Sequence, residues 1–289
     1  GGPLAGTAAI PGDKSCSHRA LILGALAEGE THISGLLEAD DVAATMRAVE
    51  AFGARVERDG DGWRVIGAEW RSPDGPVDCG NSGTTARLLM GAAAGFALDA
   101  SFTGDSSLSR RPMARVTDPL GSMGTLFAGG DRLPIRLHGG RLSGIDWLNA
   151  PPSAQVKSAI LLAGLRARGP VVVREPVPSR DHTEIMMREF GCEVERGDGF
   201  VALSDERRLK ACDIAIAADP SSAAFALAAA AIVTGSSVEV PSLLVNPLRT
   251  GLFEALKEMG AEVALSGERI QSGERVASLR VGHAPLRPV

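Results

Sequence analysis

Residues 42–52, 185–190 and 252–259 place apolar side chains at helical spacing, and each segment runs into a glycine. The shared signature is hydrophobic–Gly–small. It occurs at Phe52-Gly53-Ala54, Met123-Gly124-Thr125, Phe190-Gly191-Cys192 and Met259-Gly260-Ala261, with glycines 71, 67 and 69 residues apart. The pattern predicts four helices, each closed by a glycine at C′. After three of the four, a short alternating stretch predicts a strand: Arg55-Val56-Glu57, Glu193-Val194-Glu195 and Glu262-Val263-Ala264.

Upstream of each signature a small polar cluster leads into an alanine- and leucine-rich helix. The clusters are Lys14-Ser15, Asn81-Ser82-Gly83-Thr84-Thr85, Ser153-Ala154-Gln155 and Ser221-Ser222. A β-prone stretch follows each of these helices, and a polar or proline-containing loop then enters the second helix, at Asp40-Asp41, Arg111-Pro112, Arg180-Asp181 and Asn246-Pro247. The unit is therefore strand–helix–strand–helix–strand–strand, repeated four times in an α/β chain. Its period exceeds that of the common solenoids, roughly 20–50 residues, and predicts globular domains with helices covered by sheets.

Composition narrows the function classes. The 289 residues are 44% apolar and 22% charged, with net charge −5. That balance predicts a soluble globular protein and argues against a nucleic-acid partner, so any anion site must be a local basic patch. The longest apolar run, residues 223–233, is shorter than the roughly 20 residues a membrane span needs. Four scattered cysteines without a CxxC pair predict reduced thiols in a cytoplasmic protein and no structural metal. Tyrosine is absent and aromatics make up 4%, leaving little surface for stacking bases.

The candidate chemistry lies at the helix starts. Pro11-Gly12-Asp13-Lys14-Ser15-Cys16-Ser17-His18-Arg19 combines a turn, a helix N-terminus capped by Ser15 or Ser17, and two cations. It reads either as one wall of an anion pocket or as a capped helix with solvated charges. Asn81-Ser82-Gly83-Thr84 reads as a cap or as a close-approach anion loop, and Ser153, Gln155 and Lys157 add further oxyanion donors. Pro112 fits the first turn of a helix and would fix Arg111 just before it. Asp40-Asp41 reads as a helix cap, Asp105-Ser106-Ser107 as a loop, His182 as an orienting or capping residue, and His18 as facing out. If the first helices of successive units point at one place, their donors converge on one anionic ligand.

Four of these stretches together resemble the 5-enolpyruvylshikimate-3-phosphate synthase family over the whole chain. They are Pro11–Arg19, Gly80-Asn-Ser-Gly-Thr-Thr-Ala-Arg87, Gly104-Asp-Ser-Ser-Leu-Ser-Arg-Arg-Pro-Met-Ala-Arg115 and Ser153-Ala-Gln-Val-Lys-Ser-Ala159. Ser179-Arg-Asp-His-Thr-Glu184 resembles the bacterial branch that includes glyphosate-tolerant members. The resemblance implies two domains, each of three repeats about a pseudo-threefold axis, and transfer of enolpyruvyl from phosphoenolpyruvate to the 5-hydroxyl of shikimate 3-phosphate, with phosphate released and no cofactor. Carried over by motif, Lys14 is the catalytic residue and contacts both substrates. Ser15, Arg19, Ser153, Ala154, Gln155 and Arg180 hold shikimate 3-phosphate, while Asn81, Gly83, Arg111 and Gln155 border phosphoenolpyruvate. Gly83 implies room for the inhibitor glyphosate. A related family acting on UDP-N-acetylglucosamine carries Lys-Asn in the first motif and a loop cysteine; here Ser15 follows Lys14 and residues 105–111 hold no cysteine.

The chain departs from that family in repeat number and at one solvent-facing helix turn. Three repeats fill a first domain over residues 15–218, while 1–14 and 219–289 form part of a second. Later family motifs, including acid/base carboxylates and a further arginine, have no counterpart. The expectation is a chain that needs a missing C-terminal fragment for turnover, or a non-catalytic binder of shikimate 3-phosphate. Gly121-Ser122 stands where the family usually has arginine.

Overall fold

The computed structural model describes residues 2–288. The first repeat holds β1 (Ala5–Thr7), α1 (Lys14–Leu26), β2 (Glu30–Ser34), α2 (Asp40–Phe52), β3 (Arg55–Asp59) and β4 (Gly62–Ile66). The second holds β5 (Val77–Asp78), α3 (Gly83–Ala94), β6 (Asp99–Thr103), α4 (Ala114–Met123), β7 (Leu126–Ala128) and β8 (Ile135–His138). The third holds β9 (Leu142–Leu148), α5 (Ala154–Gly164), β10 (Ala167–Arg174), α6 (His182–Glu189), β11 (Val194–Gly197) and β12 (Phe200–Leu203). The fourth holds β13 (Ile214–Ala215), α7 (Pro220–Ile232), β14 (Ser237–Leu244), α8 (Gly251–Glu258), β15 (Glu262–Gln271) and β16 (Glu274–Gly282).

All four signature glycines sit at positive φ, between 84° and 117°, at or just beyond the end of α2, α4, α6 and α8. That conformation is cheap only for glycine, so the repeat in sequence is a repeat of one helix stop. A strand follows every one of them, including β7 after Gly124, where the sequence pattern showed none.

Each repeat builds one four-stranded sheet. In β5-β6-β8-β7 and β9-β10-β12-β11 the leading strand pairs in parallel with the second, and an antiparallel hairpin completes the sheet. Repeats one and four exchange their leading strands. β1 pairs in parallel with β14 in the sheet β1-β14-β16-β15, and β13 lies at the edge of β13-β2-β4-β3.

The chain divides into two compact units. Unit 1 comprises residues 1–17, 34–37 and 215–289, and unit 2 comprises 18–33 and 38–214. In unit 1, α7 and α8 pack on β14 and β16 through Leu227, Val240, Leu243, Phe253, Leu256 and Leu279. In unit 2, α3 and α5 are buried along most of their length and lie against each other. Phe52 stacks on Trp70 at 4.6 Å, and Trp70 on Phe96 at 5.6 Å.

Several local expectations are corrected. The cap of α1 is Asp13, whose Oδ1 accepts from the Cys16 N–H at 2.8 Å, in place of Ser15 or Ser17. Ser17 is buried and its hydroxyl bonds the Asp13 carbonyl. His18 is buried rather than outward-facing, and its Nδ1 meets Thr45 Oγ1 at 2.7 Å. Asp40 and Asp41 lie inside the first turn of α2, where they favour the helix dipole without capping it. Pro112 precedes α4 by two residues, after a 3-10 turn over Leu108–Arg110. No described helix is long and apolar enough to cross a membrane.

Candidate functional site

Two helix N-termini of unit 2 carry half of the predicted ligand residues. Ser82 caps α3 by accepting from the Thr85 N–H at 3.1 Å, and Ser153 caps α5 by accepting from the Val156 N–H at 3.5 Å. With their first-turn donors uncrossed by side chains of opposite charge, such ends favour anions. Gln155 joins the two ends: its Oε1 accepts from Arg87 Nη1 at 2.6 Å and its Nε2 donates to Thr84 Oγ1 at 3.0 Å. Ala154 is the first residue of α5, between Ser153 and Gln155.

Beside this pair, Arg111 donates from Nη2 to Asn81 Oδ1 at 2.7 Å, and Asn81 Nδ2 donates to Asp105 Oδ2 at 2.6 Å. The Asn81 amide is thereby oriented at both ends, and it fixes the guanidinium. Asp105 is held below the usual carboxylate range, first by the Leu108 N–H and then by the Asn81 amide. Gly83 lies under the two arginines. A methyl group there would approach Arg111 Nη1 and Arg87 Nη1 at 3.3 Å each. Burial lowers the pKa of Arg87, and the nearby Arg115 and Arg111 charges lower it further, which describes a cluster of cations drawn together. That concentration suits an anionic ligand.

A second set of groups lies along α5 and α6. Arg19, 4% exposed, donates from Nε to Thr183 Oγ1 at 2.6 Å and from Nη2 to Ser158 Oγ at 2.8 Å. Arg180 is exposed in the loop that enters α6. Lys157 was expected among the oxyanion donors and is not available for that role. Its Nζ lies 2.7 Å from both Glu175 Oε2 and Glu184 Oε1, and its side chain is 1% exposed.

Burial is the main cause that raises the Glu184 pKa, opposed by the Lys157 charge. A carboxyl whose folded pKa lies above its unfolded value adds stability below the unfolded pKa, here 4.5, and loses it as pH rises. The stability advantage of wild type over Glu184→Gln is therefore expected to shrink from pH 4.5 upward. Urea unfolding between pH 4 and pH 8 checks this, and an advantage that grows with pH would contradict it.

Lys14 and Ser15 belong to unit 1, at the first turn of α1. Lys14 is exposed and Ser15 is half-buried. Their turn is held by the Asp13 cap, and Asp13 Oδ2 accepts from Arg249 Nη1 at 2.9 Å.

Arg87, Asp105 and Arg249 were missed as site-related residues. Arg87 stands inside a quoted motif, but its link to Gln155 joins different repeats, and Arg249 lies 236 residues from Asp13. No sequence pattern signals either link.

The sheets and helices define an enolpyruvyl-transferase fold. The chain matches the transferase NikO from Streptomyces tendae with a TM-score of 0.77 at 18% identity, over 100% of this chain and 68% of that one. It belongs to the EPSP synthase (3-phosphoshikimate 1-carboxyvinyltransferase) family, which it matches over residues 1–289. The 3-phosphoshikimate 1-carboxyvinyltransferase of Caulobacter vibrioides is 52% identical over 301 residues, spanning 100% of this chain and 68% of the relative. That of Phenylobacterium zucineum is 52% identical, with 100% and 66% spanned. An EPSP synthase structure from Acinetobacter baumannii superposes with a TM-score of 0.91 at 40% identity, over 98% of this chain and 65% of that one. The chain thus spans about two thirds of the length of these relatives.

Proposed function

We propose that this chain serves transfer of the enolpyruvyl group of phosphoenolpyruvate to the 5-hydroxyl of shikimate 3-phosphate, as part of a longer or complemented enzyme. The observation that carries this reading is the cation cluster of Arg87 and Arg111, tied through Gln155 and Asn81 to the starts of α3 and α5. Two phosphates and two carboxylates need such fixed donors, and holding the hydroxyl against C2 of the enol phosphate supplies much of the rate. In the addition step the hydroxyl oxygen bonds C2 and gives up its proton, while C3 takes up a proton from a positioned acid. In the elimination step phosphate leaves C2 and C3 returns the proton. Lys14 is assigned contact with both substrates and a role in proton handling. Ser15, Arg19, Ser153, Ala154, Gln155 and Arg180 are assigned to shikimate 3-phosphate, and Asn81, Gly83 and Arg111 to phosphoenolpyruvate.

One observation favours a complementing segment. α7 is apolar nearly all round, a pattern of helices covered on every side, yet Phe225 is 83% and Ile232 is 67% exposed. We assign that face to further repeats of the family type, whether in the same chain or supplied separately. Phosphate release assayed with the 289-residue polypeptide alone, and with the remaining third of a relative added, separates the readings. Background release alone and steady turnover on addition are expected. Turnover by the polypeptide alone would remove the need for a partner. Calorimetric binding of shikimate 3-phosphate without turnover in either case would favour the non-catalytic binder.

Gly83→Ala tests the phosphoenolpyruvate assignment and the inhibitor reading together. A methyl at 3.3 Å from two guanidinium nitrogens displaces them by a few tenths of an ångström. Affinity of the complemented enzyme for phosphoenolpyruvate is expected to fall about ten-fold, the worth of one charge-assisted hydrogen bond. Inhibition by glyphosate is expected to weaken in parallel. Unchanged values for both would remove Gly83 from the site.

A further inference from the structure

We infer that Lys157 is a positioning residue: with Glu175 and Glu184 it forms a buried charged centre that sets the two shikimate 3-phosphate-binding segments of unit 2 at a fixed separation. The inference rests on the function proposed above. Three elements meet at this centre, with Lys157 on α5, Glu175 just beyond β10 and Glu184 on α6. The three side chains are 1%, 5% and 0% exposed.

The centre reaches both segments by named bonds. Glu175 Oε1 accepts from Asn149 Nδ2 at 2.6 Å, and the same Nδ2 donates to the Ser153 carbonyl at 3.0 Å, at the start of α5. Ser179 is held three times. Its hydroxyl donates to Glu175 Oε1 at 2.6 Å, its N–H donates to Glu175 Oε2 at 3.3 Å, and its carbonyl accepts from Lys157 Nζ at 3.2 Å. Ser179 immediately precedes Arg180, so the anchor of that loop and the cap of α5 share one carboxylate.

The loop needs such an anchor. Between β10 and α6 it contains Pro176 and Pro178, which have no N–H to donate, and Val177 is 61% exposed. An apolar packing of similar volume would often be as stable as a buried ion cluster, so stability alone does not account for the charges. An apolar side chain, however, could not hold a backbone N–H, a carbonyl, a hydroxyl and an amide in one place.

The test is calorimetric titration of shikimate 3-phosphate into wild type, Lys157→Met and Ser179→Ala, with amide hydrogen exchange on the unliganded proteins. Lys157→Met removes the counter-charge of two buried carboxylates, so its melting is measured first. Ser179→Ala removes the hydroxyl bond, the shorter of the two that tie the loop to Glu175, while leaving the ion cluster whole. For Ser179→Ala the dissociation constant is expected to rise about ten-fold, the loss of roughly one hydrogen bond to a charged group, at an unchanged melting temperature. Exchange should quicken over residues 179–182 while the strands of unit 2 stay protected. A folded Lys157→Met should weaken binding further. If wild type binds and Ser179→Ala binds equally well, the positioning role is wrong and the proposed function stands. If wild type itself does not bind, the proposed function fails and takes this inference with it.

Discussion

Arg249→Met is expected to destabilise unit 1 by about 3–5 kcal/mol, the cost of removing one member of a buried ion cluster and leaving the others behind. The guanidinium lies 2.9 Å from Asp13 Oδ2 and 3.1 Å from Asp219 Oδ1, with side-chain exposures of 8%, 1% and 9% for the three residues. Both carboxylates are also helix caps. Asp13 accepts from the Cys16 N–H at the start of α1, and Asp219 from the Ser221 N–H at 2.7 Å at the start of α7. The backbone around them leaves no slack. The Asp13 N–H donates to the Ala217 carbonyl, the Asp219 N–H donates to the Pro11 carbonyl, and a Cβ on Gly12 would lie 1.9 Å from the Gly35 oxygen. The carboxylates therefore have no easy path to solvent when their cation is removed. Arg249→Lys, with one compact charge in place of a fork, should retain part of the stability. Urea unfolding of the three proteins measures the effect, and a loss below 1 kcal/mol for Arg249→Met would show that the cluster relaxes.

What was legible in the sequence was local. Gly53, Gly124, Gly191 and Gly260 announce their role because a left-handed helix stop depends on that residue alone, and four stops in register disclose the repeat. The cap within Asn81-Ser82-Gly83-Thr84 was legible for the same reason, since a cap bonds an N–H three residues on, whereas Ser153 reads from the sequence only as an oxyanion donor. Pairings across long separations were not legible. β1 and β13 are three and two residues long, too short to carry a pattern that names their partner strand. Lys157 looks like a ligand cation when only α5 is in view, because the carboxylates that neutralise it arrive on other elements. Asp13 was overlooked as a cap because two serines stood nearby, and its burial is explained by Arg249, 236 residues later.

Gly91→Ala is expected to destabilise unit 2 and to weaken ligand binding, against the direction that helix propensity alone would give. Alanine in the middle of α3 should gain about 1 kcal/mol over glycine. Here a Cβ would lie 2.3 Å from the Ala159 oxygen and 2.6 Å from its Cα, both backbone atoms of α5. Neither can turn away as a side chain could, so α3 and α5 must separate, and overpacking of this kind costs about 1–3 kcal/mol or more. The consequence reaches the site through helix geometry. Arg87 lies four residues before Gly91, and Gln155 four before Ala159, so each pair shares a helix face one turn apart. The Arg87–Gln155 bond at 2.6 Å and the Gln155–Thr84 bond at 3.0 Å then span the same two helices that the new methyl forces apart. A net loss of about 1 kcal/mol or more in urea unfolding is expected from the difference of the two effects. A weaker affinity for shikimate 3-phosphate by calorimetry should accompany it. A variant more stable than wild type would mean that the helices can part at no cost, and that the close approach at Gly91 does not set the spacing of the two anion-binding helix starts.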